Sequence, residues 1–426
     1  MRPLPLTPPS PVARVLAAQG LRAAGYGFTA VLLGALLAAR GYSHLRAGLL
    51  LAAMVAGASW VSVLVGVFAD RWGRRRSYAG LGLILAGSGA VYAGSDAYPL
   101  LVAAALAGML STDVIDNGPA TTLEQAMLAG PGRPEARRYA TYNAVAALAG
   151  STGALAAGLP GLAARPGLFA VLVPVGLATA ALAVTLPPTV EAPRRAPAST
   201  PASDRPTGGG LRRSRRTVAG LAGLFAVDAF AGGFVVQSFI AYWLTQRFGV
   251  GLDRLGPLFA ALGLLQAVSF LAAGRLADRI GLLPTMVFTH LPSNLLLAAV
   301  PLAPGFPAAA ALLAARALLS QMDVPTRQAY VMALVDPAER TAAAAATNAA
   351  RYTLRPFGPL LAGAAQHLAA AAPFLLAGAL KTGYDVALWA WFRTVPLPPT
   401  ASPPRPPSRD PPAAGEPTAC RYSCSG

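Results

Sequence analysis

Apolar residues run in stretches of about twenty, punctuated by short polar or glycine- and proline-rich breaks. A helix needs about 20 apolar residues to cross a hydrocarbon core of roughly 30 Å. Only helices satisfy their own backbone hydrogen bonds in lipid, which excludes an open sheet. On that ruler the chain holds twelve spans. Six lie in the first half, at 14–38, 46–69, 78–95, 98–128, 138–162 and 167–187. Six lie in the second, at 217–246, 254–277, 282–302, 307–334, 341–367 and 371–393. The longer ones suit tilted helices or helices that extend beyond the bilayer.

The segments between and around these spans complete the organisation. Residues 1–13 form a cytoplasmic N-terminus, 14–187 a six-helix bundle, 188–216 a basic linker, 217–393 a second six-helix bundle and 394–426 a disordered cytoplasmic tail. The linker carries Pro193, Pro197, Pro201 and Pro206, then Gly208-Gly209-Gly210, then Arg212, Arg213, Arg215 and Arg216, as a flexible connector does. Residues 1–11 lack a short apolar core followed by a small-residue cleavage site, so the first apolar run is expected to remain as a membrane helix.

Composition agrees with a membrane solvent. The 426 residues are 55% hydrophobic and 12% charged, about half the charge of a soluble domain at roughly 25%. In a soluble protein the net charge of +17 would suggest nucleic acid. Here the arginines fall between apolar runs, and the positive-inside rule accounts for them without a nucleic-acid partner. With both termini inside, the inner connections hold seventeen arginines and the outer ones five, which orients both termini to the cytoplasm. Trp243, Trp389 and Trp391 fall near span ends and suit interfacial aromatic belts. The two cysteines, Cys420 and Cys424, lie in the tail and fit neither a disulfide framework nor a tetrahedral metal site. No metal or cofactor is assigned.

One stretch departs sharply from its surroundings. Gly66-Val67-Phe68-Ala69-Asp70-Arg71-Trp72-Gly73-Arg74-Arg75-Arg76 ends an apolar run in an acid, a turn and four arginines. A reduced copy, Gly274-Arg275-Leu276-Ala277-Asp278-Arg279-Ile280-Gly281, recurs almost half a chain later. Further echoes are Pro134-Glu135-Ala136-Arg137 with Pro337-Ala338-Glu339-Arg340, and Pro119 in span four with Pro325 in span ten. Two such copies imply a duplicated architecture of two six-helix halves.

These residues resemble the major facilitator superfamily, whose signature is Gly-x-x-x-Asp-Arg-x-Gly-Arg-Arg between helices two and three. Gly66, Asp70, Arg71, Gly73, Arg74 and Arg75 match it position for position. Gly274, Asp278, Arg279 and Gly281 retain its core without the trailing basic pair. The resemblance covers about residues 14–393 and has the style of bacterial drug and small-molecule exporters. It implies an all-α, multi-pass membrane fold of twelve helices in two pseudo-symmetric bundles, with no enzymatic activity. It assigns Gly66, Asp70, Arg71, Gly73, Arg74, Gly274, Asp278 and Arg279 to gating. An acid at the end of span two can also meet a neighbouring helix N-terminus, where the macrodipole favours negative charge.

Ionisable residues inside spans cost about 2.5–3.5 kcal/mol on insertion scales and mark function. The candidates are Arg22, Asp113, Asp116, Glu124, Asp228, Arg316, Asp323, Arg327, Arg351 and Arg355. In the superfamily, helices one, four, seven and ten line the central cavity, and eight of these ten fall on them. Proton coupling and substrate binding are therefore expected among Arg22, Asp113, Asp116, Asp228, Gln237, Arg316, Asp323 and Arg327. Asp113 and Asp116, three apart on one helix face, cannot both ionise freely in a poorly solvated cavity and form a candidate proton acceptor, with Asp228 and Asp323 as alternatives. The competing reading pairs each acid permanently with Arg22, Arg316 or Arg327. Gln328 is a further candidate for substrate hydrogen bonding. Lys381 and Asp385, four apart in span twelve, are expected to neutralise each other, and His290 is expected to lie away from the cavity.

Span four lacks the arginine motif of drug–proton antiporters, whereas Arg316 and Gly358-Pro359 look like exporter motifs displaced to the second half. The resulting expectation is secondary active transport of a small organic molecule by alternating access, as proton-coupled efflux across the bacterial inner membrane by a monomer. The proton gradient would be the energy source. The alternatives are proton-coupled uptake of a metabolite or organic ion, and a non-transporting membrane sensor or scaffold. No phosphate-binding loop is present, which argues against an ATP-driven pump.

Overall fold

The computed structural model describes residues 10–113, 118–128, 136–191, 214–335 and 339–395. Among them every regular element is helical. The first half contains α1 (Pro11–Ala39), α2 (His44–Trp72), α3 (Arg74–Gly94), α4 (Tyr98–Leu106), α5 (Pro119–Leu128), α6 (Ala136–Ala157) and α7 (Leu172–Thr185), the last preceded by a 3-10 turn at Pro166–Val171. The second half contains α8 (Arg215–Gly233), α9 (Gln237–Phe248), α10 (Leu252–Ile280), α11 (Leu282–Ala299), α12 (Phe306–Ser320), α13 (Asp323–Leu334), α14 (Arg340–Leu354), α15 (Phe357–Leu368) and α16 (Ala372–Phe392).

These segments make the twelve expected spans, with one systematic difference. Spans four, seven, ten and eleven are each divided, as α4/α5, α8/α9, α12/α13 and α14/α15. An apolar window does not register a local break, so the hydrophobic pattern alone leaves them continuous. The causes are local. Gly108 takes φ +78, a left-handed conformation that glycine adopts without a Cβ penalty, and Pro119 opens α5. Pro356 follows Arg355 at the division of span eleven and has no N–H to continue the helical ladder, although both residues keep helical angles. Broken helices at membrane depth are tolerated where they line a cavity or are buried in protein.

The internal repeat is visible in the packing. In the first half α1 packs on α6, α3 on α7, and α2 on α4 and α5. The second half repeats this order, with α8 on α14, α11 on α16 and α10 on α12. The two bundles meet through α2 on α15, α6 on α10 and α1 on α9. Small residues permit these approaches: Gly34 lies against Ser238 and Ala241, Gly48 against Pro359 and Gly363, and Gly158 against Gly256. All three contacts lie in the half of the molecule away from the Asp70 and Asp278 hinges, and they form a seal between the bundles.

Trp243 corrects the expected aromatic belt. Its ring is 1% exposed, packs 4.7 Å from the Phe374 ring, and donates its indole N–H to the Ala370 carbonyl at 2.7 Å. Trp391, by contrast, is exposed as a belt residue should be.

Candidate functional site

The two hinges make the same turn. Gly73 and Gly281 both take φ +93, between α2 and α3 and between α10 and α11. Around the first, Asp70 accepts from Arg74 Nε at 2.8 Å, and Arg74 also donates to the Ala126 carbonyl at 3.1 Å. Asp70 does not reach the N-terminus of α3. Glu191 does, accepting from the backbone N–H of Arg74 at 2.6 Å and of Arg75 at 3.3 Å. An acid here meets both unsatisfied amides and the positive end of the helix dipole. Sequence reasoning missed Glu191 because it lies in the expected linker, over a hundred residues from the turn it caps. Arg71, Asp278 and Arg279 are exposed, and Gly66 and Gly274 face open space. Asp70→Asn is expected to slow transport more than Asp278→Asn, because only the first hinge carries the Arg74 bridge to α5; equal effects in a flux assay would contradict this.

Between the bundles lies a cavity of about 560 Å³, within the range of roughly 300–1,000 Å³ usual for small-molecule sites. Its walls include Gln125 and Asn143 from the first bundle and Asp228, Gln237, Gln266, Arg316, Gln328 and Arg351 from the second. Phe259, Leu262, Phe270 and Leu313 give it apolar surface. The interrupted spans supply several of its polar groups from the breaks themselves: Asp113, Gln321 and Arg355 all line it.

Asp113 ties the bundles together. It sits between α4 and α5 rather than on a helix; Asp116, the other member of the expected pair, lies outside the described residues. One Asp113 oxygen accepts from the Gln237 backbone N–H, the first residue of α9, at 2.9 Å. The other accepts from Arg355 Nη2 at 2.9 Å. Both donors belong to the other bundle.

Asp228 anchors a second cluster. It accepts from Lys381 Nζ at 2.5 Å and from Arg327 Nη1 at 3.0 Å, and Arg327 also meets Asp323 at 3.2 Å. Asp385 instead accepts from Asn294 Nδ2 at 2.8 Å and lies 2.9 Å from His290 Nδ1. Two expectations are therefore corrected. Lys381 pairs with Asp228 rather than with Asp385, because its long side chain reaches across the bundle interior from α16. His290 lines the cavity, since α11 packs against α16 and brings it beside Asp385. Lys381 is the only lysine in the chain, a signal that could have singled it out.

Arg22 stands apart from the cavity lining. It is 2% exposed and forms a two-pronged pair with Glu124, at 2.7 and 2.8 Å. Glu124, 0% exposed, also accepts from Tyr142 at 2.6 Å and from Tyr78. This carboxylate joins α1, α3, α5 and α6. Arg22–Glu124 between spans one and four has a counterpart with the signs exchanged, Asp228–Arg327 between spans seven and ten. Among the described residues, no group of three or more His, Cys, Asp or Glu is placed to hold a metal.

Comparisons with known proteins agree with this architecture. Residues 15–352 match the pattern of the Major Facilitator Superfamily. A relative described as an uncharacterised membrane protein, YJR124C of Saccharomyces cerevisiae, is 26% identical over 382 residues, covering 80% of this chain and 85% of its own. Among solved structures, the nucleoside transporter NupG superposes with TM-score 0.68 at 14% identity, over 89% of this chain and 97% of that one. The D-xylose–proton symporter gives 0.66 at 18% identity, over 89% and 97%. The human organic anion transporter MFSD10 gives 0.60 at 20% identity, over 90% and 100%. A twelve-span fold of two like bundles, a paired hinge and a central cavity thus coincide with a sequence match over most of the chain: the protein belongs to the major facilitator superfamily.

Proposed function

We propose that this protein is a proton-coupled secondary transporter that exports a small organic molecule by alternating access. The observation that carries this reading is the central cavity, walled by both bundles and sealed by close glycine contacts at the end away from the hinges. In this reading the hinges lie on the cytoplasmic side, which the arginine bias supports, and the described state is inward-facing. One chain supplies both bundles, so the transporting unit is a monomer. Two structural neighbours are named as nucleoside and xylose–proton carriers, which makes uptake the second reading.

Asp113 is the coupling acid in this reading. Ionised, it holds Arg355 and the α9 N-terminus across the bundle interface. When the seal parts, those donors withdraw and the carboxylate takes a proton from the outer side. When the seal closes, Arg355 reclaims the carboxylate and the proton leaves towards the hinge side.

The test uses inside-acid proteoliposomes with the hinge side outward and a pH-reporting dye. A transported solute added outside is expected to discharge the gradient, and a protonophore to abolish its accumulation. Asp113→Asn is expected to reduce solute-dependent proton release more than about tenfold. A full response from Asp113→Asn would remove it from the coupling role. Accumulation only with the pH gradient reversed, outside acid, would favour proton-coupled uptake.

A further inference from the structure

We infer that the cavity selects an organic anion, held through Arg316 and Arg351. This deepens the transport reading and rests on it for direction and coupling, though not for binding. The described lining carries five cationic side chains, Arg316, Arg327, Arg351, Arg355 and Lys381, against three acids, Asp113, Asp228 and Asp323. Each acid is already engaged: Asp113 by Arg355, Asp228 by Lys381 and Arg327, Asp323 by Arg327.

Arg316 on α12 and Arg351 on α14 are left over. The Nε of each is buried and has no hydrogen-bond partner. A buried guanidinium donor without an acceptor is costly, and a fold retains one where an incoming group satisfies it. Guanidinium presents a planar fork that matches a carboxylate with two parallel hydrogen bonds. Ser320, whose buried hydroxyl is likewise unsatisfied, lines the same cavity and adds a neutral donor.

The other walls decide between inorganic and organic anions. Phe259, Phe270, Leu262 and Leu313 face the same space. Burying them against a small hydrated ion gains nothing, whereas an apolar body gains about 25 cal/mol per Å². The cavity therefore suits a carboxylate on an aromatic or branched aliphatic body.

The experiment measures thermal stabilisation of the purified full chain by 2-naphthoate, 4-phenylbutyrate and cyclohexanecarboxylate, each paired with its primary amide and the corresponding amine. At least one carboxylate is expected to raise the melting temperature, with its amide and amine inert. Arg316→Gln and Arg351→Gln should weaken that response at least tenfold in half-saturating concentration. Arg316→Lys and Arg351→Lys, which keep the charge and lose the fork, should fall between. Size-exclusion profiles and ligand-free melting temperatures identify a variant that has lost its fold, in which case the amide and amine comparison on the wild type decides. The inference is overturned if no carboxylate stabilises the wild type, if amides or amines do so equally, or if both Gln variants respond as wild type. Flux in proteoliposomes separates the two readings. Transport of an amide or amine would keep the transporter and overturn the anion, while carboxylate binding without flux would keep the site and overturn transport.

Discussion

Replacing Glu124 by alanine is expected to destabilise the protein by about 3–5 kcal/mol, the cost of stranding one partner of a buried ion pair. The carboxylate is fully buried and takes two bonds from Arg22, one from Tyr142 and one from Tyr78. Its loss leaves a guanidinium that is 2% exposed with no anion, and removes the one group shared by α1, α3, α5 and α6. The measurement is the melting temperature of detergent-solubilised protein. The double variant Arg22→Leu with Glu124→Leu should recover much of the loss, since neither charge is then stranded. If Glu124→Ala melts with the wild type, or the double variant melts no higher than the single, this four-helix tie is not what stabilises the first bundle.

The second large effect is expected at the seal. A Cβ on Gly34 would lie 2.4 Å from Ala241 Cβ, 2.5 Å from the Ser238 carbonyl and 2.7 Å from the Tyr242 backbone nitrogen. Two of those neighbours are backbone and cannot swing away, so a leucine there cannot coexist with the closed contact between α1 and α9. It is compatible with a state in which the bundles part at that end. Gly34→Leu should therefore retain its fold yet lose transport by more than about tenfold, because the cycle cannot return through the sealed state. A cysteine at Ser238, 0% exposed, reports the change once Cys420 and Cys424 are replaced by serine. It should react with a membrane-impermeant maleimide faster in the Gly34→Leu background. Unchanged labelling with unchanged transport would show that the contact opens without constraint.

The fold was legible in the sequence because the bilayer imposes a length on every apolar run, and no tertiary detail is needed to count them. The half-chain repeat added the division into two bundles, and the helix pairings follow it. Partners were not legible. Spacing four apart suggested Lys381 with Asp385, but an interior side chain chooses among all the helices packed around it, and Lys381 found Asp228. His290 was set aside because its span was not among those expected to line the cavity, although α11 reaches the wall at that residue. Glu191 was hidden for the opposite reason: its segment looked like linker, yet it folds back to cap α3. Asp113 stands out in the sequence as a charge in span four and lines the cavity, but on an unbroken helix its acceptors would not have faced the α9 amide.

The division of span four also bears on how the chain enters a membrane at all. Its helical pieces hold 9 and 10 residues, each about 14–15 Å long at 1.5 Å per residue, so neither reaches across roughly 30 Å of hydrocarbon. Six of the described helices are long and apolar enough to insert on their own credentials. Span four is not among them, and its non-helical backbone is bonded from outside the span: the Met109 carbonyl accepts from Tyr26 of α1, and the Thr112 carbonyl from the Ser238 N–H of α9. The Thr112 carbonyl thus draws its partner from α9, which follows α4 by more than a hundred residues, so the packing of the fourth span is completed only when the second half of the chain has been made.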